Sequence, residues 1–170
     1  MTLPTSSAIL AHARRGLVGA ALVILVAGCG QQASEEAATD AAAPAPPAVA
    51  ERQAGFKAMG AAFKVVNDQL KTDAPDMAAI AQAADQMNSL AGEIPTWFPA
   101  GSGPDDGVKT DALATVWSDP EGFAEAQVTL VNATVTLQQL AAAGDAAGLR
   151  EHVKMVGASC GGCHDKYKAE

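Results

Sequence analysis

Aromatic residues are scarce in this chain: two Trp, one Tyr and four Phe among 170 residues. A core so poor in rings has to be built from Ala, Val and Leu, and alanine-rich faces leave volume unfilled unless something large occupies the interior. Positive charge is also short, with 11 Lys plus Arg against 19 Asp plus Glu and a net charge of −8. Nucleic-acid binding usually rests on a basic face, so that class is set aside. Cysteine occurs three times, at positions 29, 160 and 163, too seldom and too unevenly for a disulfide scaffold. Sustained strand alternation is absent, and so is an apolar run of the roughly 20 residues that span a membrane. The length fits one domain.

At the N-terminus, Arg14 and Arg15 precede an apolar and glycine run from Gly16 to Gly28. A short basic region, a brief apolar run and small residues at its exit describe a secretory signal peptide. Cys29 follows Ala27 and Gly28 directly, and this resembles a bacterial lipobox. The resemblance implies that residues 1–28 are removed and that Cys29 becomes a lipid-modified first residue, anchored to a membrane without spanning it. An uncleaved anchor or ordinary cleavage nearby stays open. Gly30, in place of Asp, implies the outer membrane and a periplasmic location. Removing residues 1–28 takes away Arg14 and Arg15 and no acid, leaving a net charge of −10. Residues 29–50 are rich in Ala and Pro without apolar period and read as a disordered tether. The folded part is 51–170.

Within it, Phe56, Met59, Gly60, Phe63, Val66 and Leu70 recur at helical spacing and predict a helix from Glu51 to Lys71. Met77, Ile80, Ala84, Met87 and Leu90 predict a second, ending near Gly92. A long connection from Glu93 to Ser118 carries Trp97, Phe98 and Trp117, which suggests that it packs over something. Ser118-Asp119-Pro120-Glu121 predicts a helix start with Ser118 as cap. Phe123, Val128, Val131, Val135 and Leu140 continue that third helix to Gly144. Asp145 can cap a fourth, through Leu149, Val153, Val156, Cys160, Cys163, His164 and Tyr167. The expected fold is all-α, an antiparallel four-helix bundle, and bundles commonly seat cofactors between their helices.

Cys160-Gly161-Gly162-Cys163-His164 is the attachment signature of haem c. Positions three apart lie on one helix face, so two sulfurs can reach one porphyrin edge while the adjacent imidazole addresses the iron. Gly161 and Gly162 let the macrocycle approach the backbone. Zinc wants about four ligands; beyond this motif only His152 remains, about 12 Å away along a helix. A redox-active thiol pair wants a helix N-terminus, and this pair sits near a C-terminus, where the dipole opposes a thiolate. A structural disulfide leaves the histidine unexplained.

Taken with Arg52-Gln53, Phe56 through Gly60, Pro95 through Pro99, Thr110 through Ala112, Val116 through Asp119 and Val156 through His164, the motif resembles the cytochrome c′ family (class II c-type cytochromes) across 51–170. The resemblance implies one covalent haem c on Cys160 and Cys163, with His164 as axial iron ligand. It places Arg52 and Gln53 at the haem propionates, and Lys168, four residues after His164 on the same helix face, beside the proximal histidine, where Lys stands for the commoner Arg. Phe56 falls opposite His164, implying a five-coordinate iron in an apolar pocket with Met59 and Phe63. Such a site would bind nitric oxide or carbon monoxide and exchange single electrons with a redox partner protein, without being an enzyme. Two alternatives stay open: Met59 as second axial ligand of a six-coordinate electron carrier, and a haem-free helical interaction lipoprotein. The resemblance also implies homodimers through the first two helices, where Ala61, Lys64 and Ala78 can face outward.

Overall fold

The computed structural model describes residues 46–170; Cys29, the predicted signal peptide and residues up to 45 lie outside the described residues. Four long helices form the bundle: α1 (Pro47–Leu70), α2 (Met77–Glu93), α4 (Pro120–Ala142) and α5 (Ala146–Tyr167). The α2–α4 connection contains two 3₁₀ turns, Ile94–Trp97 and Pro104–Asp106, and a single helical turn, α3 (Thr115–Ser118). Among the described residues there is no strand, only an isolated antiparallel bridge between Ala112 and Lys168.

Aspartates start three of the long helices. Asp76 accepts from the amides of Ala78 (2.9 Å) and Ala79 (3.1 Å), Asp119 from Gly122 (3.1 Å) and Asp145 from Gly148 (2.8 Å). Each carboxylate satisfies first-turn donors and complements the positive end of its helix. Gly144, at φ +68°, ends α4 in the left-handed conformation that glycine adopts at little cost.

At one end of the bundle Val66, Leu70, Ile80, Leu137, Ala141 and Leu149 close into a core with almost no exposure. Arg150 seals that end by donating to the carbonyls of Leu70 (3.0 Å) and Thr72 (3.2 Å), groups left over where α1 stops. Neighbouring helices pack along most of their length, with α1 and α5 as the exception: they touch little. The bundle is therefore closed at one end and along three of its seams, and open along the fourth.

Four expectations are corrected. α1 begins at Pro47, not Glu51, so residues 47–50 belong to the bundle, and Val49 is buried. The Ala/Pro composition concealed this, because Pro at the first helical position fits a helix as well as a tether. Asp119, not Ser118, caps α4, since Ser118 ends the α3 turn. The buried stripe of α4 is Leu130, Thr134, Leu137 and Ala141, while Val128 and Val135 face solvent at 51% and 37% exposure. Thr134 reads as surface by type, yet it is buried with its hydroxyl 2.9 Å from the Val131 carbonyl and 3.0 Å from the Asn88 amide. Lys168 is not on the α5 helix: its backbone is extended and bridges to Ala112.

Candidate haem site

The open seam holds a cavity of about 460 Å³. On the α1 side its wall is Phe56, Met59 and Phe63; Met87 and Leu130 form the floor; Cys160, Cys163 and His164 line the α5 side. Little of the lining is polar, as expected of a site for a large apolar group fixed by a few polar anchors.

Cys160 and Cys163 sit on one face of the penultimate turn of α5, both half-buried and both free thiols. Burial pushes both thiols up from their ordinary range, and for Cys163 the neighbouring Cys160 adds to it. That is the reverse of what a thiolate-based redox pair requires. Gly161 and Gly162 are exposed, with open space where a Cβ would stand. His164 follows on the last turn, exposed and lining the same cavity. His152 lies elsewhere. It is half-buried with Nε2 2.8 Å from the Ala133 carbonyl, joining α5 to α4.

Across the cavity, Arg52 is a charged side chain exposed by only 3%. Its Nη1 donates to Ser102 Oγ (3.1 Å) and the Trp97 carbonyl (3.5 Å), and its Nη2 to the Ser102 carbonyl and Thr110 Oγ1, both at 2.8 Å. The guanidinium also lies over the Phe98 ring (5.1 Å) and near Trp117 (5.8 Å), within cation–π range. Arg52 thus gathers the long connection onto α1, and burial lowers its pKa without a compensating acid. Among the described residues no carboxylate forms a salt bridge with it. A buried cation without an anion is costly unless a partner is supplied.

These features fit a haem: two free thiols three residues apart, an imidazole beside them, an apolar cavity, and a buried guanidinium lacking an anion. The family model for cytochrome c′ matches residues 47–168. The chain belongs to the cytochrome c′ family. It is 34% identical to the cytochrome c′ of Rubrivivax gelatinosus over 122 residues, 71% of this chain and 93% of that one. Identity to the Pararhodospirillum photometricum protein is 32% over 118 residues, 69% and 92% of the two chains. The Halomonas halodenitrificans cytochrome c′ is 48% identical over 69 residues, which span 40% of this chain and about half, 52%, of that protein. The crystal structure of the Rubrivivax gelatinosus protein superposes with a TM-score of 0.64 at 32% identity, covering 71% of this chain and 94% of that one. A nitric oxide complex of an Alcaligenes xylosoxidans cytochrome c prime variant gives 0.65 at 31% identity, over 72% and 94%.

Cytochrome c′ proteins carry one covalently attached haem c, and act in electron transfer or in binding nitric oxide and carbon monoxide. Membership sets aside the haem-free alternative. The family's members are periplasmic, and no described helix of this chain is long and apolar enough to cross a membrane.

Of the pocket residues expected in this chain, Phe56 and Met59 both line the cavity on the α1 side, Met59 almost fully buried and Phe56 packed edge-on against Trp97 (centroids 5.1 Å). Gln53 lines the mouth and is exposed; Lys168 lines it from beyond the end of α5, with Nζ on the Ala169 carbonyl. The Arg52 fork is filled by Ser102, Thr110 and Trp97, so only its Nε–H remains for a ligand. Thr110 Oγ1 accepts from Arg52 and from the Ala112 amide (3.1 Å), leaving its own hydrogen to donate. Gln127 and Phe123 are also in the lining; the helical spacing marks Phe123 only as a helix core residue, and Gln127 not at all. Gln127 donates to the Ala91 carbonyl at 2.9 Å, a helix-end contact that no motif announces.

Proposed function

We propose that this protein is a haem c binder of small gaseous ligands and a one-electron carrier, with thioether links at Cys160 and Cys163 and His164 as the single protein ligand to iron. The observation that carries it is the facing pair of walls, Cys160, Cys163 and His164 on one side and Phe56 with Met59 on the other. When bound, the haem supplies a one-electron couple and an open coordination position. Phe56 has no lone pair, so it would cover that position without occupying it. Water and anions would gain little against its ring, while small neutral molecules such as nitric oxide and carbon monoxide would enter as it moved aside. Arg52 through Nε and Thr110 through its hydroxyl would hold the haem's carboxylates, with Gln53 and Lys168 at the mouth. No acid–base side chain stands among Phe56, Met59 and Phe63, which supports binding rather than catalysis.

Two measurements test this. The intact mass of protein from a haem-attaching host should include one haem, lost in Cys160→Ser with Cys163→Ser. Carbon monoxide association with the ferrous protein should quicken about tenfold in Phe56→Ala, equivalent to about 1.4 kcal/mol of steric barrier; an unchanged rate contradicts the role given to Phe56. Met59 lines the same wall, so the six-coordinate reading has its own check. If its sulfur held the iron, Met59→Leu would open a site that the unaltered protein lacks.

Cys29 is the proposed lipid attachment point, with residues 29–46 as the tether to the outer membrane; labelled fatty acid should be incorporated by the unaltered chain and not by Cys29→Ala. The proposed homodimer contact is the α1–α2 face, where exposed Ala61 and Val65 lie beside Ala79 along a shallow groove. A related cytochrome c′ of known structure, 27% identical with a TM-score of 0.65, is described as having ligand-controlled dimer dissociation. Sedimentation with and without carbon monoxide tests the same behaviour here.

A further inference from the structure

Six of the seven aromatic rings in this chain form one connected array. Tyr167 meets Phe123 edge-on at 5.1 Å between centroids, Phe123 meets Phe98 at 5.0 Å, and Phe98 meets Trp117 at 5.9 Å. A branch runs from Phe98 through Phe56 to Trp97. The oxidisable rings stand at the ends, with phenylalanines between them. One end, Tyr167, lines the cavity one turn beyond His164. Another, Trp117, is only half-buried, its indole N–H donating to the Pro99 carbonyl at 3.2 Å.

The cavity end also has a proton acceptor. The phenol of Tyr167, itself buried, donates to Asp119 Oδ2 at 3.0 Å, while Asp119 Oδ1 accepts from the Gly122 amide. Gly122 makes room for this pair: a Cβ there would collide with both the carboxylate and the phenol oxygen. A phenol that loses an electron becomes a strong acid, and a carboxylate at hydrogen-bond distance takes the proton without diffusion. Electron tunnelling falls off exponentially with distance, so ring-to-ring contact at each step keeps the path short.

We infer that this array drains oxidising equivalents out of the cavity, with Tyr167 as first electron donor, Asp119 as its proton acceptor and Trp117 as the outlet. The inference rests on the haem reading above. The oxidant is hydrogen peroxide, neutral and small enough to pass the Phe56 ring, and a bound haem would supply the chemistry that cleaves its O–O bond. Its reduction to two waters takes up two electrons and two protons. Tyr167 gives one electron; its O–H bond breaks and the proton passes to Asp119 Oδ2, then to water. Trp117 gives the second through Phe98 and Phe123, and its indole proton leaves to solvent. The two radicals remain on side chains rather than on the porphyrin or its thioethers.

The test uses the full-length haem protein, with haem content measured before peroxide is added. Freeze-quenched electron paramagnetic resonance of the unaltered protein should show a tyrosyl radical. Tyr167→Phe keeps the ring stack and should abolish that signal. Asp119→Asn keeps the helix cap, since Asn caps as well as Asp, but accepts no proton and should lower the radical yield. Both variants should bleach their haem severalfold faster in hydrogen peroxide. Trp117→Phe should keep the tyrosyl signal and lose the tryptophanyl one. Equal bleaching in all four proteins, or a radical untouched by Tyr167→Phe, overturns the inference. A chain without covalent haem is recognised at the first step and fails the haem reading instead.

Discussion

The two ends of this bundle solve the same composition problem in opposite ways. At the closed end, small aliphatic residues interdigitate fully, with Val66, Ile80, Leu137 and Leu149 without measurable exposure, and Arg150 ties the chain ends together. At the open end, α1 and α5 stay apart, and nearly all the aromatic residues gather around the cavity between them. The lesson is that an alanine-rich chain can complete one half of its core by itself and leave the other half to a cofactor. The closed end fixes the helices; the open end uses them.

The comparison breaks most forcefully at Leu149. Its replacement by Ala leaves a cavity in a fully packed region and should cost about 3 kcal/mol. Chemical denaturation with and without covalent haem should show a similar loss in both forms, because the residue belongs to the self-sufficient half. A loss confined to the haem-free form would mean that the two ends are not separable.

Arg52→Met comes next. It removes the four hydrogen bonds to Trp97, Ser102 and Thr110, and with water returning to the freed acceptors the expected net loss is about 2 kcal/mol. The expected result is faster amide exchange through residues 97–112, with the amides around Ile80 and Leu137 unaffected. Uniform acceleration across all helices would contradict the division.

A smaller effect concerns Tyr167, the single tyrosine of the chain. Burial, and then the hydrogen bond to Asp119, raise its phenol above the ordinary value of 10.0. The folded state therefore holds the phenolic proton more tightly than the unfolded chain does. Its contribution to stability is complete below the unfolded pKa and is lost as pH climbs through the folded one. Phenolate absorbance should appear at higher pH in the folded protein than after denaturation, and Tyr167→Phe should flatten the alkaline loss of stability. Coincident titrations would show that the phenol is not held as described. The smallest change is Val128→Thr on the exposed face of α4, expected to stay within about 0.5 kcal/mol; a larger loss would mean that this face is covered in solution.

The closed end and the Cys160–His164 motif that lines the cavity were legible in sequence for different reasons. Cys160, Cys163 and His164 are a local motif whose spacing is its chemistry, and the structure needs only one helix to present them. Helices α2 and α5 were readable because their apolar stripes keep a 3.6-residue period between an Asp cap and a stop. On α4 the reading drifted to Val128 and Val135, since β-branched side chains score as core wherever they stand, while the buried Thr134 hides a satisfied hydroxyl. The rim of the cavity was least legible. Arg52, Ser102 and Thr110 lie up to 58 residues apart in the chain and meet only through tertiary folding. Lys168 looked helical by count, but the pairing of Ala112 with it draws the chain out of the helix.

The central claim is an iron held by His164 on one side and covered by Phe56, with no ligand from the chain, on the other. Resonance Raman spectra of the purified haem protein, ferric and ferrous and without added ligand, test it most directly. The account predicts high-spin, five-coordinate marker bands in both oxidation states, converting to ligand-bound spectra when carbon monoxide or nitric oxide is supplied to the ferrous form. Low-spin, six-coordinate bands in the resting protein that vanish in Met59→Leu would contradict it.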